Sequence, residues 1–170
     1  MCIRDRTKVA TEWLGRVYQA RYGIEVVSLR VAQVYGPGNR MPEILGDLLK
    51  SAVKTGAASL REGRDHSFNF IHASDVALAT DCVLQAWGPA PLRAYNVSSQ
   101  EYWLMSDVLE IMRKLVPGAK MELGPGLVTE LDLQGPFDCA AASRDFAYAP
   151  EWRLKQGLAQ YAEWLKDHDE

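Results

Sequence analysis

Apolar residues recur at helical spacing in five stretches of the chain, and short runs rich in β-branched and aromatic residues lie between them. The helices are predicted at residues 7–22, 42–55, 74–87, 106–115 and 154–166. Gly23 and Gly56 follow the first two, at positions where a left-handed glycine can end a helix. The strands are predicted at residues 25–29, 68–71, 94–97 and 121–123.

This alternation of strands and helices predicts an α/β fold. The later strands are short, which indicates a small mixed subdomain beside a larger parallel sheet, most of which belongs to chain upstream of this sequence. Residues 124–143 show little periodicity and contain several Gly and Pro residues. We therefore predict a long surface loop there, of the kind that often lines a site.

Composition narrows the class of protein. The 170 residues include 19 basic and 22 acidic side chains and are 48% apolar, which excludes a disordered chain. The net charge of −3 gives no overall attraction for nucleic acid. No apolar run is long enough for a membrane helix or a signal peptide, so we expect a soluble cytoplasmic protein. The three cysteines are widely separated, and no cluster has metal-ligand spacing, so no metal is expected.

The beginning of the sequence is unusual. Apolar residues at helical spacing start at Val9 and include Trp13, so the chain begins inside a helix without a cap before it. This pattern predicts that the 170 residues are the later part of a longer protein. We interpret residues 1–6 as a non-native start joined to a genuine coding sequence at about Thr7.

Several ordered segments together resemble one family. They are a helix opening with Thr7 and Lys8, then R-V-A-Q-V-Y-G-P-G from Arg30, F-I-H-A-S-D-V-A from Phe70, Y-N-V from Tyr95 and Y-A-P from Tyr148. Their order and spacing resemble the second half of the extended short-chain dehydrogenase/reductases, the NAD-dependent epimerases and dehydratases. The resemblance implies a Rossmann-type sheet with a C-terminal substrate subdomain, and residues 7–170 as the C-terminal portion of that domain.

The resemblance also implies the catalytic chemistry. In this family a Tyr and a Lys four residues apart lie on one helix face; the Lys lowers the pKa of the phenol and binds the nicotinamide ribose of NAD or NADP. Lys8 matches the lysine, as catalytic and cofactor-binding residue. Arg4 stands at the tyrosine position and cannot transfer protons near neutral pH. The glycine-rich loop for the pyrophosphate is absent, so we expect this chain alone to be inactive.

Further site residues follow from the same resemblance. Ala32 and Val34 should border the cofactor, and Gln33 falls where relatives place a substrate-contacting Asn. Ile44 also matches a substrate-binding position. Gly36-Pro37-Gly38 is predicted to form a turn in any case.

Nucleotide-sugar members hold the substrate diphosphate with arginines. The two matching positions here carry Phe68 and Gln134, and both are neutral. Arg61, with Arg64 and His66 nearby, is the candidate that could compensate for them. The substrate is therefore expected to be sugar-like or a nucleotide sugar, with the nucleotide-sugar interpretation weakened.

Three functions are compatible with these features. The favoured one is part of an NAD(P)-dependent epimerase, dehydratase or reductase, which forms a homodimer through the helix that contains Trp13. The alternative is a non-catalytic sensor or scaffold of the same fold, for which Arg4 would be natural. A free-standing interaction module would unfold cooperatively, whereas we expect an aggregation-prone chain with exposed apolar faces. His72 and Asp75 are interpreted as structural, with Ser74 or Asp75 capping the N-terminus of a helix or complementing its dipole.

Overall fold

The computed structural model describes residues 3–86, 88 and 94–168, without the side chains of residues 3–5. Six helices are found there: α1 Ile3–Tyr22, α2 Ile44–Thr55, α3 Ala73–Gln85, α4 Met105–Leu115, α5 Ala140–Phe146 and α6 Leu154–Asp167. The seven strands are β1 Ser28–Val31, β2 Gln33–Tyr35, β3 Ala57–Leu60, β4 Ser67–His72, β5 Ala94–Val97, β6 Tyr102–Leu104 and β7 Lys120–Leu123. The predicted α/β class is confirmed.

Parallel pairing dominates the sheets. Strand β1 pairs with β5, β2 pairs with β4, and β3 pairs with β7, all in parallel, while β6 is antiparallel to β4. Strands β1 and β2 form one line of chain that changes partner at Ala32, whose amide still donates to Val97 O at 3.0 Å. The Ser99 amide donates to Phe70 O at 3.1 Å, which ties the end of β5 to β4.

Two hydrophobic cores lie on these sheets. The larger core joins α2, α4 and α6 with β3, β4 and β7, and its most buried members include Leu45, Leu49, Met105, Met112 and Leu158. The smaller core packs Ile71, Tyr95 and Val97 against α3 and α5. Burial of these apolar side chains, at about 1.5–3 kcal/mol each, is the main contribution to stability.

Helix α1 lies outside both cores. The helix contacts the segment that follows it in the chain, and the two run antiparallel. Gln19 bonds to Glu25 at 3.2 Å, and a Cβ on Gly15 would lie 2.8 Å from Val26 Cγ1. Gly23, with φ of 68°, ends the helix as predicted and donates its amide to Gln19 O. The face that turns toward this segment therefore carries small and polar residues.

Some predicted boundaries were wrong. The first strand is β1, not residues 25–29, because strand structure requires a paired neighbour and pairing with β5 begins at Ser28. Helix α2 starts at Ile44 with Glu43 as its N-cap, and α3 is capped by His72 rather than by Ser74 or Asp75. Helix α5 lies within the predicted loop of residues 124–143 and beyond it. Short strands β2, β3 and β6 were not predicted.

Four interpretations fall on parts that the structure does not describe: Met1 and Cys2, the side chain of Arg4, and Trp87 as the end of the third helix. The non-native start stays a prediction. Within the described ranges, no helix combines the length and the apolar character that crossing a membrane requires.

Candidate functional site

Lys8 shares a helix face with Glu12, which anchors α1 to the sheet. Glu12 accepts two hydrogen bonds from the Arg30 guanidinium, at 2.8 and 2.7 Å. This ion pair lowers the pKa of Glu12 below its usual value. Lys8 and Glu12 are separated by about 6 Å along the helix axis, which is the length of about two residues in a strand. Because the two elements are antiparallel, we expect Lys8 to lie level with Ala32 and Gln33.

Ala32, Gln33 and Val34 lie where the chain crosses from β5 to β4. Ala32 is buried, and Val34 packs against the smaller core. Gln33 is half-buried and is in register with Phe70. The turn that follows is confirmed: φ is 134° at Gly36 and 78° at Gly38.

This edge fits the nicotinamide end of a dinucleotide. Open parallel sheets bind such ligands at the carboxyl ends of their strands, and β1 and β5 both end there, at Val31 and Val97. Lys8 is exposed and free to donate from its ammonium group to ribose hydroxyls. We therefore expect Lys8 to lie near Ala32, Gln33 and Val34 at this edge.

Phe68 occupies the larger core and is only 7% exposed. Its ring stacks on His66 with the centroids 4.3 Å apart, and it lies 5.4 Å from Phe70. Its backbone is in register with Trp103 on the neighbouring strand. The structure thus gives Phe68 a packing role, and a substrate contact there stays a prediction.

Gln134 belongs to a loop, residues 134–138, that runs across the sheet; we call it the crossing loop. Three strands hold its backbone. Tyr102 on β6 donates its hydroxyl to Gln134 O at 2.6 Å, and Asn96 on β5 donates to Asp138 O at 3.2 Å. Asn69 on β4 bonds to two groups of the same loop, at 2.9 Å each. The Gln134 side chain itself is exposed.

Arg61 and Arg64 lie on a second loop, residues 61–66, which is held by the segment 124–129. Glu62 accepts bonds from the amide and hydroxyl of Thr129, at 2.6 and 2.8 Å. Asp65 accepts the Gly126 amide at 2.7 Å. Both arginines are exposed on this fixed loop. Arg61 is therefore available to an anion, whereas Arg64 pairs with Asp65 at 3.5 Å. His66 is buried, and its Nδ1 accepts the Val128 amide at 3.2 Å.

Ile44 is half-buried at the start of α2, beside a surface cleft of about 290 Å³ that the sequence did not reveal. The cleft is lined by Arg40, Glu43 and Lys50 together with Trp164 of α6. Burial raises the pKa of the Glu43 carboxyl to about 7, although the amides of Leu45 and Gly46 both donate to it. This carboxyl is therefore partly protonated at neutral pH.

His72 and Asp75 have structural partners, as expected. His72 Nδ1 accepts the Ser74 amide at 3.3 Å, and its ring stacks on Trp152 with a centroid distance of 4.3 Å. Asp75 is buried and accepts the amides of Glu151 and Trp152 at 2.9 and 3.1 Å. Among the described residues no group of His, Cys, Asp and Glu could hold a metal ion.

Comparison with known proteins supplies a context for this geometry. The profile of the NAD dependent epimerase/dehydratase family matches residues 5–98. UDP-glucuronate 4-epimerase 2 of Arabidopsis thaliana is 26% identical over 175 residues, which cover 93% of this chain and 40% of the plant protein.

Two solved structures share the fold. The UDP-glucuronic acid 4-epimerase of Bacillus cereus, in complex with UDP-glucuronic acid and NAD, gives a TM-score of 0.80 at 22% identity, covering 95% of this chain and 51% of that one. The dTDP-glucose 4,6-dehydratase of Bacillus anthracis, in complex with NAD, gives 0.83 at 20% identity, covering 99% and 53%. The chain spans about half the length of these proteins or less.

Proposed function

Because the chain belongs to the NAD dependent epimerase/dehydratase family, we propose that it supplies the substrate side and the lysine of an NAD(P)-dependent enzyme acting on a nucleotide sugar. The observation that carries this proposal is the Glu12–Arg30 ion pair, which holds the helix that bears Lys8 against β1, the register partner of β5. The non-catalytic sensor or scaffold is the alternative, since Arg4 stands in the tyrosine position.

In the proposed mechanism the dinucleotide, when bound, supplies the hydride acceptor. Lys8 donates hydrogen bonds to its ribose, and where the native chain carries a Tyr in place of Arg4, the positive charge of Lys8 lowers the pKa of that phenol. Ala32 and Val34 form an apolar wall that excludes water from the nicotinamide. Gln33 orients a substrate hydroxyl through its amide.

The substrate that we propose is of the UDP-glucuronic acid type, which the name of the plant relative and the ligands of the Bacillus cereus enzyme favour. Ile44, Phe68 and Gln134 contribute apolar and neutral polar contacts. Arg61 provides positive charge for the diphosphate on a loop that Glu62 and Asp65 fix. Arg64, which pairs with Asp65 at 3.5 Å, is the second candidate on that loop.

Calorimetric titration tests the substrate assignment. We expect the chain to bind UDP-glucuronic acid, and Arg61→Ala with Arg64→Ala to weaken binding by about tenfold or more, since charged hydrogen bonds contribute about 1.5–3 kcal/mol. Lys114→Ala, on the exposed face of α4, is the matched control and should leave the affinity unchanged. Equal affinities for all variants would exclude this diphosphate site.

A second titration addresses the dinucleotide. We expect the 170-residue chain to bind neither NAD nor NADP tightly and to be inactive alone; micromolar affinity would contradict this. The native reading frame upstream separates the two functions. A Tyr in place of Arg4 with an upstream glycine-rich loop supports the enzyme, and a natural Arg supports the sensor.

The same proposal includes a homodimer. Val9, Trp13, Leu14, Val17 and Tyr18 are all exposed on α1, on the side away from Glu12 and Gly15. A contiguous apolar surface of this kind is typical of an interface.

A further inference from the structure

We propose that Asn69 is a positioning residue that fixes the crossing loop, and with it Gln134, beside the substrate. The inference rests on the proposed function for the role of Gln134. It adds a residue that the sequence motifs did not indicate, and it is carried by the hydrogen bonds of one buried amide.

Asn69 lies in the middle of β4, between two phenylalanines, and only 4% of it is exposed. Its Nδ2 donates to Gly135 O at 2.9 Å, and its Oδ1 accepts the Phe137 amide at 2.9 Å. A carbonyl requires a donor and an amide requires an acceptor, so these two partners determine the orientation of the side chain. One residue thus binds the loop backbone on both sides of Pro136.

Tyr102 completes the arrangement. It is the register partner of Asn69 in the antiparallel β4–β6 pair, and its hydroxyl donates to Gln134 O. The two side chains of one cross-strand pair therefore hold consecutive carbonyls of the crossing loop. This fixes the backbone of Gln134 relative to Phe68, the neighbour of Asn69 on β4.

The hydrogen-bond pattern at position 69 requires an amide side chain rather than a carboxylate. An aspartate at position 69 keeps an acceptor for the Phe137 amide but places a second acceptor against Gly135 O, without a proton between them. Protonation of that carboxyl restores a donor. Asn69→Asp should therefore hold the loop only at low pH, whereas Asn69→Leu should not hold it at any pH.

Amide hydrogen exchange, measured by NMR on the full chain, tests this directly. We expect Asn69→Asp to lower the protection factor of the Phe137 amide by about tenfold or more at pH 7, and to regain it near pH 4.5. Asn69→Leu should lose the protection of the Phe137 amide at both pH values. Tyr102→Phe, an exposed site that tolerates substitution, should lower it several-fold. Gln85→Glu makes the same chemical change on the exposed surface of α3 and should have no effect.

The readouts separate two failures. Unchanged protection at Phe137 in Asn69→Asp and Tyr102→Phe, or a loss spread equally over β4 and α4 without recovery at low pH, overturns the positioning role. Titration with UDP-glucuronic acid at pH 7 should show at least tenfold weaker binding for Asn69→Asp, and equal affinity would overturn the link to substrate. Failure of the unaltered chain to bind this probe counts against the proposed function, while the exchange result still decides how the loop is held.

Discussion

At the residue scale, Gly157 shows how closely α6 approaches the sheet. A Cβ at this position would lie 2.1 Å from the Tyr35 hydroxyl oxygen and 2.8 Å from two ring carbons. Both residues are buried, so neither can move away without disturbing the core. We expect Gly157→Ala to lower the free energy of unfolding by about 1–3 kcal/mol, measured by urea denaturation.

The neighbouring exposed residue provides the control for that variant. Gln156→Ala also introduces alanine into the first turn of α6 but meets no side chain of the core. It should change stability by less than about 0.5 kcal/mol. A stabilised Gly157→Ala chain, as helix propensity alone predicts, would contradict the close approach.

A second prediction at the residue scale concerns the stability of the chain at acidic pH. Burial lowers the pKa of His72 below its ordinary value of 6.5, and the attraction of Asp75 offsets this only in part. The unfolded chain therefore binds the proton more readily, so the stability contributed by neutral His72 is present above about pH 6.5 and is lost as the pH falls through the lowered pKa.

The measurement is the difference in urea midpoint between pH 7.5 and pH 5. His72→Asn keeps an acceptor for the Ser74 amide and should show a smaller loss than the unaltered chain. His168→Asn, at the exposed end of α6, should show the same loss as the unaltered chain. Identical losses in all three proteins would exclude His72 as the titrating group.

At the scale of elements, the N-terminus of α2 carries a cap with opposite pH dependence. The pKa of Glu43 is raised to about 7, so the folded chain favours the neutral acid. Its stabilising effect is present at low pH and is lost as the pH rises toward and beyond 7. We expect Glu43→Gln to be more stable than the unaltered chain by about 1–3 kcal/mol at pH 8 and nearly equal at pH 4.5, by thermal denaturation.

Asp47 allows the comparison that this prediction needs. It lies in the same first turn of α2 but is exposed. Asp47→Asn should lose a little stability at pH 8, because an acidic side chain there complements the helix dipole. If Glu43→Gln is less stable than the unaltered chain at pH 8, the hydrogen bonds from the Leu45 and Gly46 amides stabilise the charged carboxylate by more than its burial costs.

The elements that could be predicted were those with long periodic patterns. Helix α4 and strand β5 were found nearly to the residue. Strands β2, β3 and β6 have only three or four residues each and exist because a distant strand pairs with them, as Lys120 does with Ala57. Such pairing depends on tertiary contacts, which a local pattern does not contain.

At the scale of the whole molecule, we propose that helix α1 mediates association. Trp13 is 60% exposed on this helix, so we expect light scattering to detect a dimer rather than the 19.0 kDa monomer. Trp13→Glu should shift it to monomer. Leu84→Glu, equally exposed at 60% on α3, is the matched control and should leave the dimer intact. A monomeric unaltered chain would exclude the interface.

The candidate site could be predicted only in part. Lys8, Ala32 and Gln33 were recognisable because each belongs to a short motif. The crossing loop was expected as a loop, but its anchors were not found. The polar Asn69 within an otherwise apolar strand was the available signal, and only the structure shows which backbone groups it binds.

The anchors of the crossing loop also have a consequence for the order of folding. Asn69 bonds to residues 66 and 68 positions later in the chain, and Glu62 to one 67 positions later. Closing so long a segment costs entropy that no local contact offsets, so we expect these bonds to form after the helices, whose contacts are local. We therefore expect the crossing loop, on the proposed substrate side of the site, to form late in folding and to open early when the native state fluctuates.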